Sequence, residues 1–87
     1  NDERPLLVLH GTRATLMFTA PFETGRNIRA SLFNAAGVNV ARLTGRINSG
    51  QRTVSLSGLD RALPAGCYYA RVEIGVYQYT IRVVREQ

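Results

Sequence analysis

Residues able to do chemistry are few in this chain, and their spacing indicates none of the common catalytic sites. A thiol–imidazole pair would have to combine the only cysteine, Cys67, with the only histidine, His10, and would still need a third group to orient the base. A two-carboxylate hydrolase needs two facing acids. No such pair is indicated among Asp2, Glu3, Glu23, Asp60, Glu73 and Glu86. Because glycine-rich phosphate loops are also absent, we predict a non-enzymatic protein without a cofactor.

The length and the cysteine count restrict the remaining possibilities. Eighty-seven residues make one domain at most, and a single cysteine excludes an internal disulfide and a cysteine-based metal site. We expect Cys67 to fill a small apolar position within a strand. The first residues lack the layout of a signal peptide, and no initiating Met is present. We therefore expect residues 1–87 to be one module cut from a larger chain.

The positive charge of the chain comes entirely from arginine. Eleven arginines and no lysine give a formal net charge of +5, and the arginines are spread along the whole chain. A nucleic-acid-binding protein usually clusters its positive charge and includes lysine, so we do not expect nucleic acid as a partner. The plain interpretation is that a genome-wide bias toward arginine accounts for these residues and that they lie on a solvated surface. The alternative is attraction to an anionic partner such as lipopolysaccharide, an acidic glycan or nucleic acid.

The elements that must position these residues are all predicted to be strands. Short runs with two-residue alternation are separated by Gly, Pro and Asn turn signals, and no helical period is present. Strands are predicted at 6–10, 14–18, 27–33, 38–43, 53–57, 67–74 and 77–85. Seven short strands of this kind favour two packed antiparallel sheets, that is, an all-β immunoglobulin-like sandwich.

The last hairpin has the best-determined register. Gly75 suits the first central position of a two-residue turn, where φ is positive, and it sets Ile74 opposite Tyr77. One face then carries only apolar or aromatic residues: Tyr68, Ala70, Val72, Ile74, Tyr77, Tyr79, Ile81 and Val83. A slip by one residue would bury Arg71 and Arg82, so we predict that this face is buried in the core.

Aromatic rings outside the core could stack on a sugar. The predicted register leaves only Tyr69, and Phe33 on its own strand, exposed to solvent. Because Tyr69 lies opposite Arg82, we expect a cation–π pair between these two residues, worth roughly 0.5–1 kcal/mol. Sugar binding by Tyr69 and Phe33 stays open as an alternative.

The loop before this hairpin is the most distinctive stretch. Pro64 fixes φ and Gly66 permits a sharp bend, while Leu59 and Leu63 are expected to cap one end of the core. The segment LPAGCYYARV, residues 63–72, resembles the LPAGxYxxRV segment of two related bacterial families. These are the immunoglobulin-like domain of the flagellar hook-capping protein and the C-terminal sorting domain of type IX secretion cargo.

Three further segments resemble the same families. Residues 28–40, with Gly37 in the turn, look like their strand–turn–strand unit, and Gly50 begins a stretch similar to their GxxxVxLxxL pattern. Residues 79–85, YTIRVVR, look like the closing TxKLVVK of the sorting domains with Arg in place of Lys. In order along the chain, these segments extend the resemblance over residues 27–85.

The resemblance implies a C-terminal module that directs a cargo protein through type IX secretion, by way of the periplasm, to the cell surface or the medium. The implied partners are the outer-membrane secretion machinery, N-terminal cargo domains of the same chain and anionic lipopolysaccharide. Recognition would fall to the terminal strand, through Arg82, Val84 and Arg85. Structural roles would fall to Gly37, Pro64, Gly66, Tyr68 and Gly75. The alternative is a structural or accessory module of a secreted protein, of the hook-capping or carbohydrate-binding kind.

Overall fold

The computed structural model describes residues 5–86, and for Glu86 it describes the backbone alone. This range contains seven strands and no helix. The strands are β1 (Leu6–His10), β2 (Arg13–Met17), β3 (Arg26–Asn34), β4 (Asn39–Ile47), β5 (Thr53–Leu56), β6 (Tyr68–Ile74) and β7 (Tyr77–Glu86). Each lies where residue alternation placed a strand, so the prediction of an all-β fold with seven strands is confirmed. In the described range, no helix could cross a membrane.

The strands form one mixed sheet in the order β4-β3-β6-β7-β1-β2-β5. Every neighbouring pair is antiparallel except β1 and β7, which run parallel with Leu7 opposite Val83 and Val8 opposite Val84. The expectation of purely antiparallel sheets is therefore wrong at this pair. The first part of β7 pairs with β6 and its last four residues pair with β1, so β7 joins the two layers of the fold.

The two outermost strands, β4 and β5, meet at a single bridge. The backbones of Thr44 and Ser57 exchange two hydrogen bonds there, of 2.9 and 2.7 Å. Two glycines permit this approach. A Cβ on Gly45 would lie 2.7 Å from a β5 side chain, and a Cβ on Gly58, whose φ is +125°, would collide with the backbone oxygen of Arg42. The sheet thus becomes a nearly closed, barrel-like sandwich in which the edge strands cover each other.

Alternate residues of the strands meet in one core. The buried apolar side chains are Leu7, Leu9, Ala14, Leu16, Ile28, Ala30, Leu32, Leu43, Ile47, Val54, Leu56, Tyr68, Ala70, Val72, Ile74, Ile81 and Val83. Burial of each large member contributes about 1.5–3 kcal/mol before entropy is subtracted. Leu59 and Leu63 pack against this core from the β5–β6 loop, as expected. Since the outward residues are polar on most strands, the two-residue period fixes which face of each strand is buried.

The predicted hairpin register is confirmed, with Ile74 opposite Tyr77 and Tyr69 opposite Arg82, and Gly75 has the required positive φ of +59°. The predicted burial of Tyr77 is wrong, because 62% of this residue is exposed. Tyr77 begins β7 directly after the turn, and it lines an open depression together with Phe22 of the β2–β3 loop.

Cys67 also differs from the prediction. It is exposed and lies in the loop just before β6, not inside a strand. The side chain of Tyr68, the first residue of β6, is buried. Because neighbouring side chains along an extended chain point to opposite sides, Cys67 is directed to solvent.

Candidate recognition surfaces

The LPAGCY segment forms a corner that two side chains hold in place. The hydroxyl of Tyr68 donates a hydrogen bond of 2.6 Å to the backbone oxygen of Pro64. Nε of Arg85 donates a hydrogen bond of 2.9 Å to the backbone oxygen of Leu63. Tyr68 is buried and Arg85 is half-buried. The corner that precedes β6 is thereby fastened to the closing residues of β7.

The three residues proposed for recognition have different surroundings. Arg82 and Val84 are exposed on the outer side of β7. Arg85 is half-buried, and its side chain is engaged with the corner through the bond to Leu63. Nor is β7 an edge strand, because it lies between β6 and β1. A partner of β7 would therefore contact its outward side chains and would not add a strand to it.

Val84 belongs to an exposed apolar stripe on the outer side of β7, β1 and β2. It lies opposite Val8, while Leu6 lies opposite Met17 on the neighbouring pair of strands. Leu6 and Met17 are each 42% exposed, Val84 is 40% exposed and Val8 is half-buried. We call Leu6, Val8, Met17 and Val84 the apolar stripe. Contiguous apolar surface of this kind marks sites of interaction with other macromolecules.

The outer side of β4, β3 and β6 has a different character, because arginines dominate it. The strand registers set Ser31 of β3 between Arg42 of β4 and Arg71 of β6. Two residues before Ser31 on the same face of β3, Arg29 lies opposite Glu73 of β6. Nη2 of Arg29 is 3.0 Å from Oε1 of Glu73. These five residues line an open depression of about 300 Å³. The residue pattern does not reveal this group, because its members lie on three strands and β6 is far from β3 and β4 along the chain.

An aromatic pair borders the depression. The rings of Phe33 and Tyr69 stack with their centroids 5.5 Å apart and an interplanar angle of 20°. The guanidinium carbon of Arg71 lies 5.9 Å from the centroid of Phe33. The expected partnership of Tyr69 with Arg82 is therefore replaced by a ring stack across β3 and β6. The cation that lies over an aromatic ring is Arg71, and the ring is Phe33.

In the described part of the chain, no three His, Cys, Asp or Glu side chains come together in a group that could hold a metal ion. His10 ends β1, whereas Cys67 precedes β6. Comparison with known proteins finds no family model that matches the chain and no curated protein that matches it.

Proposed function

We propose that this domain is a non-catalytic, immunoglobulin-like recognition module that directs a larger cargo protein through type IX secretion to the cell surface or the medium. We base this on the hydrogen bond from Arg85 to Leu63. It joins the LPAG corner to the closing segment of β7, which are two of the segments through which the chain resembles sorting domains. Their contact supports a shared structural role for these segments.

The corner also supports the immunoglobulin-like part of the proposal. Immunoglobulin-like sandwiches often carry a tyrosine near the start of strand F whose hydroxyl bonds to backbone a few residues upstream. Tyr68 begins β6 and bonds to Pro64 in this way. The strand order is compatible, with β1, β2 and β5 in the positions of strands A, B and E and β3, β6 and β7 in those of C, F and G.

Recognition in this proposal falls to the outward side of β7. Arg82 supplies a cation, and Val84 continues the apolar stripe onto β1 and β2. A fixed surface with an apolar centre and a charged margin suits docking to a protein. The proposed partner is the outer-membrane secretion machinery, which the folded module meets from the periplasm while cargo domains precede it on the same chain.

The proposal is tested by fusing the domain to a reporter protein and measuring how much reporter a type IX-competent host exports. The variant Arg82→Glu/Val84→Thr changes the outward side of β7. A matched control, Arg52→Glu/Val76→Thr, makes the same two changes at exposed positions elsewhere. We expect the first variant to lose most export and the control to keep it, with both variants folded by thermal melting. If the first variant reaches the surface at the normal level, the sorting role is wrong and the domain is a structural or accessory module.

A further inference from the structure

The depression on the outer side of β4, β3 and β6 holds more positive charge than its own carboxylate can balance. It contains Arg29, Arg42 and Arg71 but only one acid, Glu73. Glu73 is engaged by Arg29 at 3.0 Å. Among the side chains that the structure describes, Arg42 and Arg71 have no carboxylate partner. Two guanidinium groups therefore remain available to an anion from outside.

The strand registers place these two arginines on either side of one small residue, and both line the same depression. Arg42 and Arg71 lie in the same row on either side of Ser31, so their Cα atoms are about two strand spacings, roughly 10 Å, apart. Arginine side chains are long enough to lean inward over that distance. Ser31 is small and half-buried, so its position leaves space between them and provides a hydroxyl donor.

The aromatic pair positions one of these arginines. Phe33 lies on the same strand face as Ser31, and the Arg71 guanidinium packs over its ring. Tyr69 stacks against Phe33 and supports it. Because Arg71 is held in this way, less side-chain entropy is lost when it binds a ligand. Through these contacts Phe33 orients Arg71.

We propose that Arg42, Ser31 and Arg71 form a binding site for the sulfate or phosphate groups of an acidic polysaccharide. Guanidinium groups bind such oxyanions through paired N–H donors, and the serine hydroxyl adds a further donor. The depression of about 300 Å³ is open to solvent, so a single free ion competes there with water and salt. A polymer that repeats the charged group gains affinity through multivalency. This site lies on the outer side of β4, β3 and β6, whereas the apolar stripe lies on the outer side of β7, β1 and β2. The proposed site does not depend on the secretion role.

Titration of the ¹⁵N-labelled domain with dextran sulfate tests the proposal, with neutral dextran, inorganic sulfate and duplex DNA as comparison ligands. We expect dextran sulfate to shift the amide signals of residues 29–33, 41–44 and 69–73, and neutral dextran to shift none. Inorganic sulfate should perturb the same residues at much higher concentration. Shifts centred elsewhere would overturn the site, and tighter binding of duplex DNA at equal salt would identify a nucleic-acid surface.

Charge-matched variants separate this site from the general positive charge of the domain. Arg42→Gln/Arg71→Gln should weaken dextran sulfate binding at least tenfold. The control Arg13→Gln/Arg52→Gln removes two exposed arginines that do not line the depression and should weaken binding less than threefold. Arg71→Lys keeps the charge but loses the planar fork, so we expect an intermediate loss. Equal losses in the two double variants, with both folded, would show that net charge alone attracts the polymer.

Discussion

Nε of Arg85 lies 2.9 Å from the backbone oxygen of Leu63, and this one hydrogen bond connects the closing residues of β7 to the corner that delivers the chain into β6. The connected residues are 22 positions apart in the sequence. Arg85 therefore stabilises the long β5–β6 loop, where regular backbone pairing is sparse. Its role in the fold is distinct from that of Arg82, which is exposed on the same strand.

Replacing Arg85 with Ala should lower the free energy of unfolding by about 1–2 kcal/mol, because a half-buried, charge-assisted hydrogen bond is lost. Arg82→Ala is the matched control and should change stability by at most about 0.5 kcal/mol. Urea unfolding of both variants provides the measurement. Equal losses would show that the bond to Leu63 contributes nothing to stability.

Tyr68 should contribute through both its ring and its hydroxyl. Tyr68→Ala removes a large buried ring and should cost about 3 kcal/mol or more. Tyr68→Phe removes only the bond to Pro64 and should cost about 1 kcal/mol. Guanidinium denaturation distinguishes the two contributions. A Phe variant as unstable as the Ala variant would show that the corner, and not the ring packing, dominates.

The ion pair of Arg29 and Glu73 should add little to stability, although its distance is short. The two side chains are 77% and 42% exposed, and exposed pairs contribute about 0–1 kcal/mol. Arg29→Ala should therefore change the free energy of unfolding by about 0.5 kcal/mol or less, and the difference should shrink further in high salt. Melts at low and high salt measure this. A loss above about 1.5 kcal/mol would contradict the prediction.

Gly58 should be far less replaceable than Gly50, although both have positive φ, +125° and +84° respectively. A Cβ at Gly50 meets nothing within 4 Å, whereas one at Gly58 collides with the backbone of β4. We expect Gly50→Ala to cost about 1–2 kcal/mol from backbone strain alone. Gly58→Ala should cost about 1–3 kcal/mol more from overpacking. Thermal melts of the two variants test whether the β4–β5 contact is as tight as described.

The local pattern of residues was sufficient to predict the positions of the strands and the register of the last hairpin. Gly75 set the turn, and only one register kept Arg71 and Arg82 out of the core, so the pairing followed from sequence. Burial at the end of a strand was harder to predict. The alternation put Tyr77 on the core side, but its exposure depends on what lies across from it, and no local pattern specifies that.

The parallel pair and the basic depression required long-range information. Alternation in β1 identifies its inner face but not the neighbour that takes its free edge, which is β7. Likewise, Arg42, Ser31 and Arg71 become neighbours only through the registers of β3 with β4 and with β6. In the sequence, these arginines could not be distinguished from the others spread along the chain.

The parallel contact between β1 and β7 also has a consequence for the timing of folding. Leu7 faces Val83, roughly 75 positions further along, and closing so large a loop makes folding slow. During synthesis, β1 emerges early and has to wait for its second neighbour until almost the whole domain has been made. The connection that β7 makes between the two layers, by pairing with both β6 and β1, therefore has to wait for the last strand of the described range.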